Sequence, residues 1–597
     1  MRSVGFVLSV LLTASAAAQS SGIRTYANPI DIDYKYNFEQ LNEGISYRSG
    51  ADPVIVNHRG EYYLFETIGN GYWHSRDLVT WRHVTPSRWP FEEVVAPAAL
   101  SVRDTVYLLQ SAYEPRPILF STAPETGRLE FYNRRPPRLP MMLPPGRDAA
   151  RVVSDSVPPG PWDPAIFHDP DSDKWYMYWG SSNFYPLYGI ELDKSKRLAY
   201  VGTPKALLRL HPERHGWERF GQDHRGTIEP FVEGAWMTKH GGRYYLQYAA
   251  PGTEYNVYAN GTYVGDRPLG PFTYAPYNPV SYKPGGFVTG AGHGNTFQDN
   301  HGNYWNTGTP WLAVNWNFER RIAMFPTGFD ADGQMFASTR FGDFPHYLAT
   351  RRWTRPEELF TGWMLLSYRK PVTASSVRDT FPAAKVTDEN PRSFWVAGAN
   401  RRGETVTIDL QREYAVRALQ VNYVDYQSTI FESDSTVYTQ FRVLHSRDGA
   451  TWAVLADLSN ERRDRPNAYV ELPAPVRTRY VRYEHKYTAG PNLAIGDIRI
   501  FGNGDGGAPA TPTGLSVRRD TAQRNAFVTW RPVPGAVGYN VLWGIRPDKL
   551  YQTYQVFADR GTTLELRALT VAQEYYVAIE AFDESGVSRT TAPVRIP

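Results

Sequence analysis

Five times in its first 350 residues the chain runs through one pattern: turn residues, an aromatic pair, then alternating apolar positions. It reads Gly60-Glu61-Tyr62-Tyr63-Leu64-Phe65, and more weakly Asp104-Thr105-Val106-Tyr107-Leu108-Leu109. It returns as Asp173-Lys174-Trp175-Tyr176-Met177-Tyr178, Gly242-Arg243-Tyr244-Tyr245-Leu246-Gln247 and Gly302-Asn303-Tyr304-Trp305. The starts lie about 45 to 70 residues apart. Period-two alternation entered through a turn predicts the second strand of a hairpin. Strong helix signals are scarce between the copies. Five like units without long helices predict a five-bladed β-propeller with one copy per blade.

Ten to twelve residues before the aromatic pair, where the preceding strand should begin, four copies carry an ionisable residue. These are Asp52 in Ala51-Asp52-Pro53, Asp163 in Trp162-Asp163-Pro164, Glu233 in Val232-Glu233-Gly234 and His293 in Gly292-His293-Gly294. The second copy has Ala96-Pro97-Ala98 there. An Asp before Pro is ordinarily a turn residue. At one repeat phase of a propeller, however, the four would meet in a central funnel.

Near residues 357–360 the blade pattern stops. From Ser367 a second alternating region begins, with Gly and Asp turns, through Glu404-Thr405-Val406-Thr407-Ile408-Asp409-Leu410 to Ala494-Ile495-Gly496-Asp497-Ile498-Arg499-Ile500. It predicts a β-sandwich. Residues 504–512 read as a Gly/Pro linker, and residues 513–597 as a third alternating unit. The expected division is 1–18, 19–362, 365–503, 504–512 and 513–597. On this reading the first unit closes on its own strands, so a chain ending near Leu365 is expected to stand alone, and the last unit is a spacer or docking piece.

Composition narrows the function. Sixty-four Lys+Arg against 61 Asp+Glu give a net charge of +3, too even for a polyanion-binding protein. The absence of Cys removes disulfides, zinc ribbons and thiol nucleophiles. Aromatic residues make up 14% of the chain and supply flat surfaces beyond those a core needs. Residues 1–18 read as a secretory signal: Arg2, an apolar run from Val4 to Leu12, and Ala16 and Ala18 before Gln19. No later run is long enough to span a bilayer as a helix. The expectation is an exported bacterial protein, periplasmic or extracellular, and monomeric.

Three carboxyl groups in one funnel suit glycosidic bond hydrolysis, in which one must be protonated and another ionised. A third nearby raises the acid's pKa by like-charge repulsion. The competing chemistry is divalent-ion binding by the same Asp/Asp/Glu/His set. Ala51-Asp52-Pro53-Val54, Asp163-Pro164-Ala165-Ile166-Phe167, Glu233-Gly234 followed by Tyr244-Tyr245-Leu246, and His74-Ser75-Arg76-Asp77-Leu78-Val79-Thr80-Trp81 together resemble the motifs of glycoside hydrolase family 43. The resemblance runs from about Asn28 to about Leu348 and implies an inverting five-bladed propeller enzyme acting on plant-type or related glycans. It implies that Asp52 is the general base, Asp163 the modulator and Glu233 the general acid, with Glu229 as rival for the last. His293 resembles an axial histidine that holds a calcium ion or its water. Arg320 resembles a sugar-binding arginine, with Arg321 as rival. Trp73, Trp162 and Trp236 adjoin the motifs and are candidates to stack on a sugar. No cofactor is required on this reading, and a structural calcium at the axis is compatible with it.

The second unit resembles a discoidin, or coagulation factor C-type, jelly roll, and the third a fibronectin type III sandwich. The expected substrate is an oligo- or polysaccharide with terminal α-L-arabinofuranose, the alternatives being β-D-galactofuranose, β-xylose and β-galactose. The alternative of another class is a non-catalytic glycan-binding propeller. Residues 115–154 and 208–226 are the stretches expected to wall the funnel.

Overall fold

The computed structural model describes residues 24–37, 44–87, 95–112, 116–133, 160–431 and 436–596. The expected signal, residues 1–18, and residues 134–154 of the first wall stretch lie outside them. Among the described residues the chain is β throughout, with short 3-10 turns and no α-helix.

Five four-stranded antiparallel sheets follow one another in the chain. Their first strands are Val54–His58, Ala98–Val102, Ala165–Asp169, Glu233–His240 and Thr296–Gln298. The first strands of sheets one to four lie side by side in order, and that of the fifth lies beside that of the first. Trp236 Nε1, donating to the carbonyl of Thr296 at 3.1 Å, joins the fourth sheet to the fifth. The ring is therefore a five-bladed propeller.

The aromatic pairs are explained by this stacking. Successive residues of a strand point to opposite faces, and in a propeller both faces of a blade are covered by neighbours. Tyr62 and Tyr63 are both buried, as are Trp175 and Tyr176, and Tyr244 and Tyr245. Edge-to-face contacts cross from blade to blade: Tyr62 with Phe297 at 6.3 Å, Tyr107 with Trp175 at 5.2 Å, Phe167 with Tyr244 at 6.2 Å. The segment from His74 to Trp81 is a turn device. Asp77 accepts from the N–H groups of Val79 and Thr80, Ser75 from that of Leu78, and Trp81 Nε1 donates back to Leu78.

Beyond the blades, Thr25–Tyr26 pairs with His346–Tyr347. The second unit is an eight-stranded antiparallel assembly dominated by Thr405–Tyr423, Thr439–Ser446, Asn467–Thr488 and Ala494–Asn503. It encloses a core that includes Trp395, Val406, Leu419, Phe441 and Ile500. The third is a two-sheet sandwich: Ser516–Arg519, Ala526–Thr529 and Thr563–Leu566 form one sheet, and five strands around Gly538–Gly544 and Tyr575–Asp583 the other.

The expectation of loosely strung modules fails at the interfaces. Arg48 of the propeller is buried between Asp425 and Asp464 of the second unit, with its Nη2 and Nη1 each at 2.8 Å from a carboxylate oxygen. Arg465 returns an ion pair to Asp31. The third unit is equally committed: Tyr551 stacks on Phe336 at 3.8 Å, Lys549 pairs with Asp332 at 2.6 Å, and Gln552 donates to the carbonyl of Tyr277 at 2.7 Å. A chain cut near Leu365 would strip these partners from Arg48 and Asp31, so it is expected to lose stability. Arg48→Met leaves two buried carboxylates without their cation, and is expected to lower stability by about 3–5 kcal/mol. Urea unfolding at pH 7 measures this. A loss under about 1 kcal/mol would mean the interface does not depend on the triad.

Candidate active site

The residues at the mouths of the inner strands share an uncommon backbone. Asp52 (φ 52°), Ala96 (φ 41°), Asp163 (φ 45°) and His293 (φ 41°) lie in the left-handed region, as does Gly234 (φ 62°), the neighbour of Glu233. Non-glycine residues rarely adopt this conformation and need surroundings that hold them there. The holding groups are hydroxyls placed just after the second strand of the preceding blade. Thr67 Oγ1 accepts from Ala96 N–H at 2.8 Å, Ser111 Oγ from Asp163 N–H at 2.9 Å, and Thr309 Oγ1 from Asp52 N–H at 2.9 Å. In the fourth blade the link is made at the side chain, with Ser181 Oγ donating to Glu233 Oε2 at 3.0 Å. Here the strand is bulged between Glu233 and Trp236. A Cβ at Gly234 would lie 2.8 Å from the His293 ring, so the bulge and the imidazole together require glycine.

Three blades thus deliver Asp52, Asp163 and Glu233 around His293. His293 Nδ1 lies 3.1 Å from Asp52 Oδ1 and 3.7 Å from Asp163 Oδ2. One donor atom each of Asp163, Glu233 and His293 fall within 4.8 Å of one another. Asp52 also accepts from Thr67 Oγ1 at 2.6 Å and faces Arg320 Nη1 at 3.7 Å. Glu233 accepts from Tyr258 OH at 2.5 Å as well as from Ser181.

The electrostatics divide the acids. Burial acts to raise the pKa of Asp52, but His293, Arg320 and Thr67 outweigh it and hold the group well below the usual carboxylate range. Asp163 has no comparable cation of its own. Burial, reinforced by Glu233 and Asp52 against the pull of His293, pushes it up to about 7. Burial disfavours the charge on His293, but the surrounding Asp52, Asp163 and Glu233 raise its pKa to about 9. Asp163, Glu233 and His293 could between them offer two carboxylate oxygens and one ring nitrogen to a divalent ion, fewer oxygens than the six to eight that calcium takes, so water would have to complete its shell. His293 also pairs with Asp52 and Asp163 through Nδ1.

The remaining expectations separate. Arg320 faces the acids, whereas Arg321 is wholly buried, donating to Asn467 of the second unit at 3.0 Å and to the Arg48 carbonyl at 2.6 Å. Glu229 is exposed on the loop before the fourth blade, whereas Glu233 begins the inner strand. Two of the three tryptophans are core residues and offer no face to a sugar. Trp73 is fully buried with Nε1 on Asp33 at 2.5 Å, and Trp236 is wedged between blades. Trp162, next to Asp163, keeps part of its ring open. Sequence reasoning missed Tyr258 and the hydroxyl set. The signal for the latter was legible as Phe65-Glu66-Thr67, Leu109-Gln110-Ser111, Trp179-Gly180-Ser181 and Gly308-Thr309, a hydroxyl one or two residues past four of the five aromatic strands.

Comparison with known proteins agrees with this architecture. Residues 153–335 match the family model described as glycosyl hydrolases family 43, a span that includes Asp163, Glu233, His293 and Arg320 and leaves Asp52 upstream. Residues 371–495 match the F5/8 type C domain. A "Xylosidase/arabinosidase" from Bacteroides ovatus is 28% identical over 135 residues, which are 19% of this chain. The chain spans 38% of that relative's length. Among solved structures, the GH43 BlXynB protein from Bacillus licheniformis aligns over 80% of this chain and 99% of its own, at 15% identity and TM-score 0.39. The α-L-arabinanase of Cellvibrio cellulosa aligns over 51% of this chain and 100% of its own, at 16% identity and TM-score 0.37. The chain carries a glycosyl hydrolase family 43 domain followed by an F5/8 type C domain.

Proposed function

We propose that the protein is an exported glycosidase that removes terminal sugars from plant-type or related polysaccharides with inversion, acting on α-L-arabinofuranosides. The observation that carries this reading is the division of charge among three converging carboxyl groups: Asp52 is held ionised, while Asp163 retains a proton up to about pH 7 beside Glu233. Hydrolysis by a single displacement needs one carboxyl group ionised and another protonated; the group that retains a proton here is Asp163, the expected modulator, placed to share it with the neighbouring Glu233.

In this reading Asp52 draws a proton from the attacking water as the water oxygen bonds to the anomeric carbon. Glu233 gives its proton to the departing glycosidic oxygen as the carbon–oxygen bond breaks. Asp163 keeps a proton within the cluster, beside Glu233. Tyr258 and Ser181 aim the acid, Thr67 and His293 aim the base, and Arg320 is placed to bind a sugar hydroxyl near Asp52. The name of the Bacteroides relative favours arabinose- or xylose-terminated substrates and is compatible with either. β-D-Galactofuranosides and β-galactosides remain the other members of the test panel. Among the described residues no helix is long and apolar enough to cross a membrane.

Assay of four nitrophenyl glycosides, with proton NMR of the first-formed sugar, tests the reading. Turnover of the α-L-arabinofuranoside with an inverted product is expected. No hydrolysis of any of the four would contradict it. On the sugar that is turned over, Glu233→Gln should cost about 10²–10⁴-fold with poor leaving groups and far less with a dinitrophenyl group, which needs no protonation. Asp52→Asn should cost as much with both, and Glu229→Gln should act as wild type. A leaving-group-dependent loss in Glu229→Gln instead would move the acid to that residue.

The pH profile follows from the charge division. A carboxyl proton held up to about 7 is present below that pH and lost above it. The value of kcat/KM is therefore expected to fall tenfold per pH unit on the alkaline side of about 7. On the acid side it should stay level through the ordinary carboxylate range, because Asp52 titrates below it. In Asp163→Asn the alkaline limb should move. An unmoved limb would assign it to another group.

A further inference from the structure

Three side chains stand on one face of the hairpin that carries Arg320. Trp311 and Arg320 are cross-strand partners, fixed by the bonds from Arg321 N–H to Pro310 O at 2.9 Å and from Leu312 N–H to Glu319 O at 3.0 Å. Cross-strand partners project from the same face. Phe318, two residues before Arg320, shares that face, with its ring 5.5 Å from the Arg320 guanidinium. Arg320 points at Asp52, so the face that bears all three is the lip of the funnel. Phe318 keeps 40% of its surface exposed, unusual for a ring of that size beside a catalytic cluster. Trp311 is held in orientation by its Nε1, which donates to the Asn317 carbonyl at 3.0 Å.

The group covering Trp311 comes from the second domain. The Arg392 guanidinium lies 4.3 Å from the indole centroid. Among the described residues Arg392 has no carboxylate partner, so no ion pair explains its position. Its side chain is exposed, and the atoms around the guanidinium lower its pKa by desolvation. Beyond it in the same loop region, Phe394 stacks with Phe381 at 5.0 Å and lies 5.5 Å from Tyr426, all three partly open. Trp311 is itself buried beneath the guanidinium, so the flat surfaces left open on this side are Phe318, Arg392 and the aromatic cluster.

We propose that Arg392 is a specificity-determining residue: seated on Trp311, it forms with Phe318 the binding site for the sugar on the leaving-group side of the scissile bond. The active site is then built by two domains, and its preferred substrate is an oligosaccharide rather than an isolated terminal glycoside. Planar guanidinium and aromatic faces suit the apolar faces of sugar rings, and the guanidinium edge offers donors to their hydroxyls. This inference rests on the glycosidase reading above.

The test compares two substrates of the sugar that the enzyme turns over: a linear trisaccharide, and the methyl glycoside, which fills only the terminal-sugar position. Arg392→Ala should raise KM for the trisaccharide about tenfold with little change in kcat, as loss of a stacked cation does. Its kcat/KM on the methyl glycoside and its melting temperature should match wild type. Arg392→Lys, which keeps the charge and loses the plane, should fall between. Equal effects on both substrates, or none on either, would overturn the assignment and leave Arg392 as a domain contact alone. Failure of the wild-type protein to cleave any glycoside would instead overturn the glycosidase reading, and this inference with it.

Discussion

The site depends on one backbone constraint, a left-handed residue at the mouth of the inner strands, held in three of the five blades by a hydroxyl from the blade before. Left to itself that conformation is costly for any residue with a side chain. The bonds from Thr67, Ser111 and Thr309 make it the lower-energy choice, because each satisfies a buried N–H that has no ladder partner. The result turns Asp52 and Asp163 toward the axis instead of along the blade. Since each link runs between neighbouring blades, the geometry of the acids is set by the closure of the ring and not by any one sheet. Thr309, which joins the last blade to the first, carries that closure into Asp52.

Charge follows from this geometry. Three carboxyl groups and one imidazole, all drawn inward, exceed what one cation can neutralise. Asp52 secures both His293 and Arg320, and Asp163 bears the uncompensated repulsion. The same hairpin that supplies Arg320 also carries Trp311 to Arg392 and Arg321 to Asn467. The catalytic funnel and the domain interface are therefore two sides of one element. Arg48, between Asp425 and Asp464, holds that interface from beneath, which gives the second domain a structural role in the site beyond any separate binding of glycan.

The repeat was legible because propeller stacking forces paired aromatic residues onto each second strand, and that pattern survives in the order of residues alone. The phase of Asp52, Asp163, Glu233 and His293 was legible for the same reason. The tryptophans were not: adjacency in sequence placed Trp73 and Trp236 near the motifs, but strand alternation turned both into the blades. The choice between Arg320 and Arg321 also turned on alternation, since one faces the acids and the other the second domain. Domain packing left no trace in the sequence, because Arg48 is separated by hundreds of residues from Asp425 and Asp464 and each alone resembles a surface charge.

The most direct test of this account is the activity of Thr309→Val, which keeps the shape of the side chain and removes only its hydroxyl. The loss leaves the Asp52 N–H without its acceptor, a change of about 1–3 kcal/mol. If that hydroxyl sets the base, kcat/KM should fall by about tenfold to a hundredfold while far-ultraviolet circular dichroism and the shape of the unfolding transition stay those of wild type. A variant that retained full activity would contradict the claim that closure of the ring through Thr309 positions Asp52.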